Sequence, residues 1–435
     1  MTTTLRQAAA TLLRGRSDAR VLAAMGPQQP DGLLRAIVDE ARARDLELTL
    51  LFADLSGAWA FLDDRDAADV AGGRLHLVTL AGATPRRWAG LADYVPLSLW
   101  DVDRSIATGR LRVDVLVATV VEGSKTGRAA FGDMVGYTAA ALGRGEVAVG
   151  LDIQQGRAFP GAPDISLGRA EVVVRSDGPT ADESVPRRPS GADGRSADLV
   201  GRQVAALVPD GATLQLGLGA VPEAVAAHLE DKRNLGLHSG ILAPALRRLI
   251  ERGVINGTAK SLDAARHVAT GVLEATASTS STAAGNDVWG GDVELRPVSS
   301  THAPDLLLGQ ARLWAINSAF EVDLAGQPNA EYVGGQRVAS AGGQADFVRA
   351  AHASSGGAAV LALPARTRTG QSRIVGRLAV PVIAASPASD VDIVVTEYGV
   401  AHLTGRTAAE RVEAMIAIAH PDDRPALARG AHEVS

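Results

Sequence analysis

Residues 214–255 constrain the fold more than any other part of the chain, because their hydrophobic pattern alternates between strand and helix. The apolar run 213–216 predicts a short buried strand. Gly217 and Gly219 follow it, where a tight turn brings the backbone close to a ligand and leads into a helix. A second short strand is predicted at 235–237. This order of strand, glycine turn, helix and strand is typical of a parallel α/β sheet.

Three residues, His238, Ser239 and Gly240, stand at the carboxyl end of the second predicted strand. In open α/β sheets, ligands bind at the carboxyl ends of the strands. Glycine turns between strands and helices are also common without any ligand. The stretch alone therefore marks a candidate site, and the rest of the chain has to support it.

The same alternation of apolar runs and helix patterns extends through both halves of the chain, with a helix predicted at 33–44 and a closing helix at 407–419. It predicts two similar open-sheet α/β domains with a site at their interface. The further predicted strands are 46–52, 74–80, 113–121, 147–151, 171–174, 293–297, 313–317, 358–363 and 391–396.

Two polar stretches interrupt the alternation. Residues 176–198 are rich in Pro and Gly and lack periodicity, so we interpret them as a linker between domains 1–175 and 199–435. A helix is predicted from Asp198 onwards. Residues 264–292 are rich in small residues and are interpreted as loose surface.

Composition excludes several classes of function. The net charge of −6 and the 3% of aromatic residues argue against a nucleic-acid partner. No cysteine is present, the 9 histidines lack ligand spacing, and no nucleotide-binding glycine fingerprint occurs, so we expect neither a metal nor a nucleotide redox cofactor. No apolar run is long enough to span a bilayer. We expect a cytoplasmic protein without a membrane partner.

Several segments carry a resemblance to a known family. In the second half they are LQLGLGAVPEAV (214–225), NLGLHSGILAPALRRLIERGVI (234–255), AINSAFEVDLAGQPNAEYVGG (315–335), AGGQADFVRAA (341–351) and VVTEYGVAHLTGRTAAERVEAMIAIAHPDDR (394–424). In the first half they are DYVPLSLWDVDRSI (93–106), LRVDVLVATV (111–120) and FGDMVGYTAAAL (131–142). The chain resembles the acetyl-CoA hydrolase/transferase family, the family I CoA-transferases, along most of its length.

The resemblance implies acyl-CoA bound as a substrate between two α/β domains, in a homodimer or a higher homo-oligomer. In the family, a glutamate attacks the thioester and forms an anhydride and then a glutamyl-CoA thioester, from which CoA passes to a second carboxylate. That glutamate follows a His-Thr pair in a run such as LGIHTEMFSDG. Here the run reads LGLHSGILAPA, and Gly240 takes the place of the glutamate. Glycine has no group that can replace it in this chemistry.

The resemblance also implies which residues contact the acyl-CoA. Gly342, Gly343 and Gln344 match the second glycine loop of the family, whose backbone N–H stabilises the oxyanion of the thioester. Gln215, Gly217 and Gly219 would border the same site. A plain turn is the alternative reading of each glycine pair.

Other side chains are candidates for the chemistry. Glu321 is the nearest carboxylate in a matched segment, although a supporting role suits it as well. Ser239 is a candidate acyl acceptor and His238 a candidate general base, but neighbouring strand residues point to opposite faces, which weakens a dyad. Asn317, Asn329 and Glu331 rank second, and Glu397 would line the acyl pocket or form a structural contact.

Three hypotheses follow for the function. In the first, the acyl group passes from CoA directly to a small-molecule amine, alcohol or thiol, or to water as in a thioesterase. In the second, CoA transfer to a carboxylate persists through another residue such as Glu321. In the third, the protein binds acyl-CoA without turnover. Remodelling of residues 264–292 would shape the acceptor pocket.

Overall fold

The structure is a computed structural model that describes residues 4–55, 57–176, 192–273, 292–340 and 342–431. The helices of the amino-terminal half are α1 (Leu5–Leu12), α2 (Asp31–Ala43), α3 (Asp66–Ala71), α4 (Leu99–Ala107) and α5 (Thr138–Leu142). Its strands are β1 (Asp18–Ala23), β2 (Glu47–Phe52), β3 (Leu75–Thr79), β4 (Asp93–Tyr94), β5 (Val115–Glu122), β6 (Arg128–Ala130), β7 (Ala148–Ile153), β8 (Asp164–Ser166) and β9 (Val172–Arg175).

A parallel sheet forms the centre of this half. Its strands run in the order β4-β3-β2-β1-β5-β7-β9, and every neighbouring pair is parallel. The end of β5 also pairs antiparallel with β6, which pairs with β8. Helices cover the sheet on both faces, so strands such as β5 and β7 are buried almost throughout.

The carboxyl-terminal half has more and shorter elements. Its helices are α6 (Ala192–Leu207), α7 (Ala220–Ala227), α8 (Pro244–Glu251), α9 (Val298–Thr301), α10 (Pro304–Leu308), α11 (Gln344–Ala353), α12 (Ala408–Ile418) and α13 (Arg424–Gly430). Its strands are β10 (Thr213–Leu216), β11 (Gly236–Leu237), β12 (Ile241–Leu242), β13 (His267–Ala269), β14 (Gly271–Val272), β15 (Val293–Leu295), β16 (Leu313–Asn317), β17 (Glu321–Asp323), β18 (Pro328–Asn329), β19 (Tyr332–Val333), β20 (Gln336–Arg337), β21 (Ala358–Ala362), β22 (Ile374–Val375), β23 (Ile393–Thr396) and β24 (Gly399–His402).

A second sheet organises this half. Its order is β11-β10-β16-β21-β23-β24, parallel except for the last strand, and small two- and three-stranded sheets surround it. The two halves pack against each other through one continuous hydrophobic cluster. That cluster contains Leu22 and Leu116 from the first sheet and Leu214, Ile316 and Val360 from the second.

The predicted fold class of two similar open-sheet α/β units is confirmed. The strand prediction 313–317 matches β16 at both ends, and the other predicted strands agree to within a few residues. Two predictions were wrong in detail. The helix predicted from Asp198 already begins at Ala192, and residues 267–272 form β13 and β14 rather than loose surface. Residues 177–191 and 274–291 lie outside the described residues, and the domain boundaries stay a prediction.

Candidate active site

Three neighbouring strands deliver the candidate residues to one edge of the second sheet. Strand β10 ends before Gly217, β11 ends before His238, and β16 ends at Asn317. Because β11, β10 and β16 are parallel neighbours, their carboxyl ends meet at the same edge. The candidate residues named from the sequence therefore lie together at one edge of this sheet, and their role in a site stays a prediction.

Two side-chain amides at this edge form a reciprocal pair of hydrogen bonds. Gln215 Nε2 donates to Asn317 Oδ1 at 3.1 Å, and Asn317 Nδ2 donates to Gln215 Oε1 at 2.8 Å. A Cβ atom on Gly217 would lie 2.8 Å from Asn317 Oδ1, so only glycine leaves room for this pair. Gly219 has a φ of 116°, which favours glycine, and begins α7 beside open space. The predicted polar role of Gln215 is thus linked to Asn317.

His238 and Ser239 do not form a dyad. His238 is buried, and its Nε2–H donates to the carbonyl oxygen of Thr301 at 2.9 Å. Burial, together with the positive charge of Lys260, lowers the pKa of His238 to about 4. The hydroxyl of Ser239 donates to the carbonyl oxygen of Ile241 at 3.0 Å instead. The structure therefore gives both side chains backbone contacts that hold the site together.

The position of Gly240 faces a histidine that the sequence did not single out. A Cβ atom built on Gly240 would lie 3.1 Å from His302 Nε2, and one built on Gly343 would lie 2.6 Å from the same atom. His302 follows α9 directly and comes from a chain segment between β15 and β16. No spacing or motif marks it, because only the tertiary fold brings it between the two glycines.

The His302 ring is held rigidly and is neutral. Its side chain is buried, with Nδ1 2.7 Å from the hydroxyl of Thr301 and the ring 4.8 Å from that of Phe347. Burial, and then the neighbouring His238, lower the pKa of His302 to about 3. Within the described residues, Nε2 has no hydrogen-bond partner. The imidazole therefore presents an unused nitrogen to the space between Gly240 and Gly343.

The second glycine loop is fixed to the amino-terminal half. Gly342 adopts a φ of 58°, and its carbonyl oxygen accepts a hydrogen bond from Leu99 N at 2.9 Å. Two residues into α11, Asp346 Oδ2 accepts from Trp100 N at 3.1 Å. Gly343 stands at the N-terminus of α11, and its N–H makes no hydrogen bond within the described residues. This N–H is the group expected to stabilise an oxyanion.

A cavity of about 580 Å³ opens beside this loop, between the two halves of the chain. This volume lies within the range of small-molecule sites. Its walls include Tyr94, Trp100, Arg104, His302, Glu331 and Asp346. Arg104 and Arg349, both on the walls, are exposed and would meet an anionic ligand. Neither His238 nor Ser239 lines it.

The remaining carboxylate candidates make structural contacts or line the cavity. Glu321 Oε1 accepts from Asn329 Nδ2 at 2.9 Å, across the pair of β17 and β18. Glu397 Oε2 accepts from Ala365 N at 2.8 Å. Glu331 lies on the cavity wall, where burial raises the pKa of its carboxyl group. Among the carboxylates named from the sequence, Glu331 is thus better placed toward the cavity than Glu321.

The side chain of Gln344 extends from the first residue of α11. Its Nε2 is buried and has no hydrogen-bond partner in the part of the chain that the structure describes. A buried donor without a partner is unusual in a native protein. Its predicted contact with acyl-CoA stays a prediction.

The described residues contain neither a metal-ligating group of three or more His, Asp or Glu side chains nor a helix able to span a membrane. These findings concern only the described ranges, which omit residues 177–191 and 274–291.

Comparison with known proteins decides the family. The chain is 35% identical to the 4-hydroxybutyrate coenzyme A transferase of Clostridium kluyveri over 340 residues, which cover 78% of this chain and 77% of that protein. The chain belongs to the acetyl-CoA hydrolase/transferase family. The profile of the family's C-terminal domain matches residues 290–431.

Solved structures agree with this family. RipA from Yersinia pestis superimposes with a TM-score of 0.85 at 26% identity, covering 99% of this chain and 97% of that one. The 4-hydroxybutyrate CoA-transferase from Porphyromonas gingivalis superimposes with a TM-score of 0.76 at 26% identity and the same coverage. The described fold, with its two α/β sheets, therefore has the family's architecture.

Proposed function

We propose that this protein transfers an acyl group from a CoA thioester directly to a small nucleophile, an amine, an alcohol or a thiol. Family membership supports chemistry on an acyl-CoA substrate. The cavity between the two halves is of suitable size, and two exposed arginines, Arg104 and Arg349, lie on its walls. Anionic groups of CoA would be attracted to them.

One observation carries the proposal. The residue at the position of the family's nucleophile is Gly240, and the direction that a side chain would take from it leads to His302 Nε2 at 3.1 Å. A carboxylate is thus absent from this position, and the adjoining space holds an uncharged ring. The Gly343 N–H next to it supports the same reaction, because an oxyanion-hole donor contributes several kcal/mol, about 2.7–4, to acyl transfer.

Three other functions remain as alternatives. A conventional CoA-transferase would need another carboxylate, either Glu321 or Glu331, which lies on the cavity wall. An acyl-CoA hydrolase would admit water in place of the small nucleophile. A protein that binds acyl-CoA without turnover is a third class, favoured by the loss of the glutamate beside two retained glycine loops.

The test is a matrix of substrates. The purified protein is mixed with acetyl-, propionyl- and butyryl-CoA and with hydroxylamine, ethanolamine, acetate or water, and free CoA and intact protein mass are followed. We expect CoA release that depends on the amine or alcohol, with no covalent adduct. Exchange with acetate, together with a borohydride-trapped adduct on Glu321 or Glu331, would establish the conventional reaction instead.

Binding of butyryl-CoA without release by any acceptor would favour the non-catalytic alternative. Release that is equally fast in water alone would favour a hydrolase. The expected homo-oligomer and cytoplasmic location stay predictions, which sedimentation of the purified protein and cell fractionation would check.

A further inference from the structure

His302 occupies a place that two glycines create for it. Any side chain at Gly343 would overlap Nε2 at 2.6 Å, and one at Gly240 would press on it at 3.1 Å. The edge of the ring that carries Nε2 therefore lies between the nucleophile position and the loop that holds the oxyanion donor. The ring also lines the cavity. Nε2, for which the described residues show no hydrogen bond, thus stands at the cavity wall beside the position where the reaction would occur.

We assign the proton of the His302 ring from the contacts of the Thr301 hydroxyl. The Thr301 hydroxyl lies 2.7 Å from His302 Nδ1 and 3.2 Å from the carbonyl oxygen of Pro297. A hydroxyl has one hydrogen, and a carbonyl oxygen only accepts. Both contacts are hydrogen bonds only if the hydroxyl donates to Pro297 and Nδ1–H donates to the hydroxyl. Nε2 then carries a lone pair that faces Gly240 and Gly343.

His238 supports this arrangement from behind. Its Nε2–H donates to the carbonyl oxygen of Thr301 at 2.9 Å, which fixes the residue that orients His302. His238 is thereby a positioning residue, since its own Nε2 is used and its Nδ1 is buried without a partner in the described structure.

We propose that His302 is a catalytic residue whose Nε2 accepts the proton of the incoming nucleophile, and that this restricts the acceptor to molecules with a hydrogen to donate. This rests on the proposed function. An amine, an alcohol or a thiol can donate a hydrogen bond to the lone pair of Nε2. A carboxylate at neutral pH has no such hydrogen, and its negative charge would face that lone pair and repel it.

The step balances without a further reactant. The nucleophile R–XH attacks the thioester carbonyl carbon, the X–C bond forms, and the proton passes to Nε2. The C–S bond then breaks, and the sulfur of CoA leaves with the proton that Nε2 received. The products are the acylated acceptor and free CoA. Burial and His238 disfavour protonated His302, which weakens the ring as a base toward the nucleophile but favours return of the proton to the leaving thiolate.

Other groups at the cavity are less suited to this role. Asp346 Oδ2 already accepts a hydrogen bond from Trp100 N at 3.1 Å. Glu331 lines the cavity, but the described contacts do not bring it to either glycine. Among the described cavity-lining residues, His302 is the one that Cβ atoms built on both Gly240 and Gly343 would meet, at 3.1 and 2.6 Å.

The experiment compares His302→Ala and His302→Gln with wild type and with His267→Gln. His267 is another buried histidine of the same half; it is not among the nearest neighbours of either glycine and serves as the matched control. Each variant is assayed for CoA release from butyryl-CoA with ethanolamine, hydroxylamine or acetate, and for its Kd for butyryl-CoA. His302→Ala is also assayed with added imidazole, which the cavity would admit.

We expect amine-dependent release to fall about 10²–10⁴-fold in His302→Ala, the usual contribution of general acid–base catalysis. The Kd for butyryl-CoA should stay within about threefold. Imidazole should restore part of the rate, which a merely structural role would not predict. His302→Gln should also lose amine-dependent release, and His267→Gln should keep it.

The outcomes separate this inference from the proposed function. Release by wild type that persists within about threefold in His302→Ala and His302→Gln would overturn the role of His302 and leave direct acyl transfer standing. Release with acetate only, or binding without release, would overturn both. Loss of release that imidazole does not restore, with a Kd that also rises more than tenfold, would assign His302 a structural role and overturn the inference.

Discussion

A methyl group at Gly343 should collide with the His302 ring, and the cost can be worked out from the structure. Gly343 has a φ of −89° and a ψ of 0°, so alanine suffers no backbone strain from a positive φ. Its Cβ would lie 2.6 Å from Nε2 and 2.9 Å from Cδ2 of the ring. The ring cannot withdraw easily, because Thr301 and Phe347 hold it. We expect Gly343→Ala to lower the free energy of unfolding by about 1–3 kcal/mol, the cost of overpacking a core.

A double-mutant cycle isolates the collision. In His302→Ala the ring is absent, and the methyl group at Gly343 has room. We therefore expect Gly343→Ala to cost almost nothing in that background, which gives a coupling energy of about 1–3 kcal/mol. Gly376→Ala is the control, because a Cβ there would contact nothing within 4 Å.

Urea unfolding followed by circular dichroism would measure the four members of the cycle under one set of conditions. Costs that simply add in the double variant would mean that the ring does not occupy the space beside Gly343. That result would refute both the collision and the position of Nε2 on which the role of His302 depends. If Gly376→Ala also lowered the free energy of unfolding by a large amount, the loss at Gly343 would reflect the replacement of any glycine and not the collision with His302.

Three further predictions concern other parts of the chain. Burial raises the pKa of Asp103 from 3.8 to about 7. The stability that protonated Asp103 contributes below pH about 4, at most about 4 kcal/mol, is therefore lost as the pH rises through 7. Asp103→Asn should flatten the pH profile of urea unfolding, and an unchanged slope would contradict this. Gln215→Leu should cost about 1–3 kcal/mol by leaving Asn317 unpaired, and Gln215→Leu/Asn317→Leu should cost less than the two single changes together. Gly240→Glu alone should gain no acetate exchange, because its Cβ meets His302 Nε2 at 3.1 Å. Gly240→Glu combined with His302→Ala should gain this exchange. CoA exchange with acetate and borohydride trapping of the protein adduct would measure both variants.

The fold was predictable from the sequence because hydrophobic periodicity reports directly on burial. The run 313–317 is apolar throughout and forms β16, which is buried along its whole length. The two-residue strands β12 and β19 have no measurable period and were missed. The sequence predicted an interface between the two halves but not the residues that form it. That both sheets share one hydrophobic cluster is visible only in the structure.

The site was predictable only in part. Gly240 and Gly343 were located because each stands in a segment with a recognisable pattern. His302 was not located, because it is more than fifty positions from Gly240 in the chain and its neighbours Thr301 and Ala303 carry no catalytic signature. The weakness of a Ser239–His238 dyad followed from strand geometry, but the backbone partners of both side chains depend on tertiary contacts.

The three positions 240, 302 and 343 determine one another. A Cβ atom at position 343 would overlap the ring of His302 at 2.6 Å, and one at position 240 would press on it at 3.1 Å. The glycine at position 240 and the histidine are therefore sterically linked. In the reaction that we propose, a neutral imidazole nitrogen takes the place of an anionic nucleophile attached to the chain, and an acceptor that donates a hydrogen is the partner such an atom can activate.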